Sequence, residues 1–125
     1  MIGSWVAVAA GGAAGALLRF WGSNWVHAHL GRGFPWGTLS INVLGSLLMG
    51  FLLIWLTERA DLSPVWRHGL VVGLLGAFTT FATFSMETLK LLEDGELLRA
   101  LANILANVVL CLGAAWVGVL LARSL

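Results

Sequence analysis

Residues 73–87 read Gly73-Leu74-Leu75-Gly76-Ala77-Phe78-Thr79-Thr80-Phe81-Ala82-Thr83-Phe84-Ser85-Met86-Glu87. This stretch carries most of an uncharged run from Gly69 to Met86, long enough to approach the roughly 20 apolar residues that cross a hydrocarbon core of about 30 Å. Yet glycines and adjacent β-branched threonines make it the least helix-like part of any apolar run. The pattern predicts a membrane helix broken near its middle. Backbone carbonyls freed at that depth are tolerated only where they face protein or an ion, so such a break can bind a cation.

Working outward, an apolar run extends from Met1 to about Val26 with only Arg19 as a charge, a second from Gly33 to Thr57 and a fourth from Ala100 to Ala122. The 125 residues are 59% hydrophobic and 10% charged, so there is material for about four spans and no soluble domain. The expected architecture is all-α integral membrane, a single transmembrane domain over residues 1–125 with helices near 2–26, 36–57, 66–91 and 97–123. The first run lacks a basic segment before it and a small-residue cleavage site after it, so it is expected to be retained as a helix. Most of the seven tryptophans fall near the ends of the runs, where an indole meets both acyl chain and headgroup. His27 and His29, beside Arg32 in the first connection, have no Cys or carboxylate nearby and read as a solvated loop. The lone Cys111 excludes an internal disulfide and reads as a small packing residue. A net charge of +1 leaves no footprint for nucleic acid.

Four spans place Arg59, Arg67 and Arg123 on one side of the membrane and Arg19, Arg32, Lys90 and Arg99 on the other. The Lys and Arg bias orients a bundle, so this near balance predicts insertion both ways and an antiparallel homodimer. No internal repeat is visible that would give inverted symmetry within one chain.

The polar groups inside the spans are few. Arg19 lies toward the end of the first span, where a cation within hydrocarbon costs about 2.5–3.5 kcal/mol on insertion scales. It either snorkels to headgroups or forms a positive mouth that concentrates anions. Its place on a glycine face with Gly11, Gly15 and Gly22 favours the mouth. Asn42 sits mid-span with Thr38 one turn earlier; its amide is either an interhelical bond or a donor to a dehydrating anion. Phe81, Phe84 and Glu87 share a helical face at three-residue spacing. The phenylalanines are either core packing or rings whose positive edges solvate a small anion. No nucleophile-base pair, metal-ligand cluster or phosphate loop accompanies them, which argues against an enzyme.

At three segments the chain resembles the Fluc, or CrcB-type, fluoride channel family: Gly15-Ala16-Leu17-Leu18-Arg19, then Gly37-Thr38-Leu39-Ser40-Ile41-Asn42-Val43-Leu44-Gly45, then Gly76 to Glu87. The resemblance implies a fluoride-selective channel of the inner cell membrane that exports cytoplasmic fluoride passively. It further implies a dual-topology homodimer with two antiparallel pores and a structural sodium ion between the subunits, held by backbone carbonyls of Gly76 and Thr79. By the same match Phe81, Phe84 and Asn42 line the pore with Thr38, Thr83 and Ser85, while Arg19 and Glu87 belong to the vestibule. The chain departs from the family pattern at Ala82, Cys111 and Ala115, where relatives commonly carry hydroxyls. Two other readings compete: a small dual-topology multidrug exporter, which needs a carboxylate deep in the first helix where this chain has Arg19, and a non-transporting membrane assembly subunit.

Overall fold

In hydrocarbon a backbone must satisfy its own hydrogen bonds, and the described parts of each apolar run do so as helices in the computed structural model. The structure describes residues 2–59, 63–78 and 81–125, except the side chains of Arg59 and Ala82. In chain order the elements are α1 (Ile2–Leu30), α2 (Trp36–Ile54) with a π-helical continuation π1 (Trp55–Arg59), α3 (Pro64–Arg67), the π-helical π2 (His68–Leu75), α4 (Gly76–Phe78), α5 (Phe81–Glu93) and α6 (Leu97–Ser124). Among the described residues these make four helical spans long and apolar enough to cross a membrane, and no strand.

The helix ends follow from local chemistry. Pro64 opens α3, where its missing N–H costs nothing. The first helix runs past the expected Val26 to Leu30 and stops at Gly31, whose φ of 81° suits a residue without Cβ. His27 and His29, expected in a loop, therefore lie in the last turn. Their Nδ1 atoms donate to Gly31 O at 3.0 Å and to Trp25 O at 2.9 Å, serving carbonyls at a helix end. Gly95, with φ 78°, ends α5 in the same way: Glu96 N–H reaches Leu91 O and Gly95 N–H reaches Leu92 O, a Schellman pair.

Two backbone-to-backbone contacts hold the bundle. Gly11 and Gly15 of α1 press on π2: a Cβ on Gly11 would overlap Gly69 O, one on Gly15 would overlap Leu74 O, and one on Gly73 would come within 2.7 Å of Val8 O. On the other side a Cβ on Gly50 of α2 would overlap Ala115 O, and one on Gly118 of α6 would overlap Leu47 O. Small residues that admit such approach supply the packing that membrane helices lack from the hydrophobic effect. The contacts also fix direction. Asn42 meets Asn107 and Glu58 meets Arg123, both 65 positions apart, so α2 and α6 run parallel. Ser4 and His68, 64 apart, place the start of α1 beside the start of π2.

The expected break in the third span involves Thr79 and Thr80, which lie outside the described residues. What the described residues show is a departure from α-geometry earlier, at π2. Exposed pairs mark the two ends of the bundle: Arg123 with Glu58 at 3.4 Å at one, and Arg99 with Glu96 at 3.7 Å and with Gly33 O at 3.1 Å at the other. Pairs this exposed contribute about 0–1 kcal/mol and serve mainly as register marks.

Candidate functional site

Between α2, α5 and α6 lies a cleft of about 500 Å³ with Asn42, Phe81, Phe84 and Asn107 along its walls. Phe84 is buried at 9% exposure, whereas Phe81 is 78% exposed on the lone chain. Their rings sit 5.4 Å apart and tilted by 54°, within the separation over which aromatic side chains pair. Ser46, Cys111 and Ala115 also line the cleft, so the two helix-6 positions that depart from the resemblance face the same space as Asn42.

Asn42 is not isolated. Its Nδ2 donates to Asn107 Oδ1 at 3.2 Å. Asn107 Nδ2 donates to Asn103 O at 2.9 Å and Asn103 Oδ1 at 3.0 Å. Asn103 Nδ2 donates to Thr88 Oγ1 at 2.9 Å, and Thr88 Oγ1 donates to Phe84 O at 2.8 Å. Asn103 is 1% exposed and Asn107 6%, depths at which an unpaired amide costs several kcal/mol. Sequence reasoning singled out Asn42 and passed over Asn103, Asn107 and Thr88. The signal was present: two asparagines four residues apart in an uncharged span lie on one helix face.

A second, smaller cavity of about 120 Å³ is lined by Arg19, Ser23, Asn24, Thr38 and Thr83 among others. Arg19 is half-buried, and its Nε is enclosed with no hydrogen-bond partner among the described residues; the same holds for Oε1 of Glu87. Arg19 is among the residues that line this cavity, where its guanidinium charge favours an anion. Arg19 thus faces protein, as its glycine face predicts, and not lipid alone.

The structure therefore gathers the sequence-derived residues into two groups. Asn42, Phe81 and Phe84 share the large cleft, while Arg19, Thr38 and Thr83 share the small cavity. Ser85 is exposed and lines neither. Gly76 is exposed in α4, and Thr79 lies outside the described residues.

Comparison with known proteins adds the following. Residues 6–119 match the family described as CrcB-like protein, Camphor Resistance (CrcB). A protein of Methylococcus capsulatus named fluoride-specific ion channel FluC is 59% identical over 119 residues, covering 95% of this chain and 52% of that protein, so the chain spans about half its length. Proteins of the same name from Geobacter metallireducens and Magnetococcus marinus are 47% and 50% identical over 120 residues, covering 96% of this chain and 97% and 96% of theirs.

Proposed function

The chain belongs to the CrcB-like family, and from that membership and its relatives' naming we propose that it is a fluoride-specific ion channel, conducting passively through a membrane it crosses four times. The observation that carries this reading is the meeting of Asn42, Phe81 and Phe84 in one cleft that, among the described residues, no carboxylate lines. Fluoride is small and strongly hydrated, so its path must return much of the lost hydration without trapping the ion. Ring edges and single amide donors offer partial positive charge without a full counter-charge. Arg19, at the separate polar cavity, enriches anions near the path. With no acidic group among the described residues of the cleft, the multidrug exporter is disfavoured, since its proton and cation exchange runs through a buried carboxylate.

The working unit in this reading is an antiparallel homodimer. Phe81 is too exposed on a single chain to wall a dry passage, and a second copy supplies the missing side. The near balance of Lys and Arg between the two sides permits opposite insertion. Two such chains give two antiparallel pores that let cytoplasmic fluoride leave across the inner cell membrane. A sodium ion between the copies fits the same arrangement: Gly76 is exposed on the lone chain, and carbonyl oxygens suit a hard cation. Together with Thr79, Gly76 would hold it as a structural clamp.

One preparation tests the function. Purified protein in liposomes is loaded in turn with fluoride, chloride and a cationic dye, and efflux is followed by electrode or fluorescence. Rapid loss of fluoride alone is the expected result. Dye movement would establish the exporter instead, and no movement of any of the three would favour the assembly subunit.

A further inference from the structure

The hydrogen-bond chain from Asn42 to Phe84 has a direction. Thr88 has one hydroxyl hydrogen, and it goes to Phe84 O, so toward Asn103 the Thr88 oxygen can only accept. Asn103 must then present its nitrogen to Thr88 and its oxygen to Asn107. Asn107, meeting two acceptors on Asn103, must turn its nitrogen there and its oxygen to Asn42. Asn42 is left with one orientation at this contact, nitrogen toward Asn107. Every donor points the same way, and reversing any amide sets like groups against each other.

We infer that Thr88 and Asn103, neither of which lines the cleft, are positioning residues for anion selectivity, because through Asn107 they hold Asn42 with its N–H edge toward the α6 wall. The inference rests on the channel reading above. The geometry gives it three supports. The relay joins α2, α5 and α6, the same three helices that wall the cleft. It begins at one cleft residue, Asn42, and ends on the backbone of another, Phe84. Its interior members are all buried, Asn103 at 1% exposure, Asn107 at 6% and Thr88 at 8%. An amide that presents its oxygen repels an anion that its nitrogen would attract, so the sense of the relay translates into preference for anions.

The test is a flux series in liposomes, with fluoride and chloride measured separately. Thr88→Val keeps the branched shape and removes the hydroxyl; it is expected to lower fluoride flux about tenfold, the scale of one net hydrogen bond, and to lower the fluoride-to-chloride ratio. Thr88→Ser should restore both. In an Asn42→Ala background, Thr88→Val should add less than about a twofold change, because a residue acting through Asn42 has nothing left to act on. If Thr88→Val yields no assembled protein, Thr88→Ala is read by the same criteria. Equal losses in the serine and valine variants, an unchanged ratio, or additive losses with Asn42→Ala would each overturn the relay while leaving the channel intact. A parent protein that passes no fluoride would overturn the channel reading and the relay with it.

Discussion

Asn103 is the largest fully buried side chain among the described residues, and it both donates and accepts inside the bundle. Replacing it by leucine of similar bulk leaves Asn107 short of an acceptor. Asn103→Leu is therefore expected to cost about 1–3 kcal/mol, read as a lower thermal aggregation midpoint in detergent. Arg19 has a different signature, since its effect is long-range and screened. Arg19→Gln should reduce fluoride flux most at low ionic strength, and its flux should respond less to added inert salt than the parent's. Convergence of the two proteins near 1 M salt, where the screening length is about 3 Å, would complete the pattern. Asn42 and Arg19 were legible in the sequence because a polar group at membrane depth stands out against its neighbours. Their partners were not. Which amide meets which is decided by three helices together, and Asn103 and Asn107 sit in a span whose lack of charge made it look featureless.

Among the elements, the glycine faces show how a linear pattern becomes a contact. Gly11 and Gly15 could be read as a close-packing stripe, and Gly69 with Gly73 likewise; that each pair answers the other emerges only in three dimensions. The approach of α2 to α6, where Gly50 meets Ala115 O and Gly118 meets Leu47 O, escaped notice because neither glycine has a second glycine three or four residues away. The π geometry of His68–Leu75 escaped for another reason: one extra residue in a turn alters apolar spacing too little to register over eight residues. The contacts predict a graded mutational response. Gly15→Ala drives a methyl into Leu74 O and should destabilise by about 1–3 kcal/mol. Gly12→Ala, one turn away from that clash with only Gly73 O at 4.0 Å, should stay within about 0.5 kcal/mol of the parent. Thermal midpoints of the two variants, compared side by side, check the contrast.

For the whole molecule, a mean hydropathy of +0.92 and four apolar runs made the membrane bundle readable before any coordinates. The order in which the helices touch was not readable, since hydropathy says that a segment spans and nothing about its neighbour. Orientation is the property that charge counting addresses. A Ser124→Cys label in a Cys111→Ser background should react with a membrane-impermeant thiol reagent from both faces of sealed vesicles; labelling from one face only would rule out dual topology. The parallel contact of α2 with α6 reaches beyond the finished protein to its biosynthesis. Asn42 leaves the ribosome 65 residues ahead of Asn107, and the glycines of α1 precede those of π2 by a similar interval. Neither helical hairpin can complete its own core, so the first must wait in the bilayer, its amide provisionally solvated, until the last helix has been inserted. Slowing translation after residue 60 should therefore raise the chain's turnover more than an equal pause near its end.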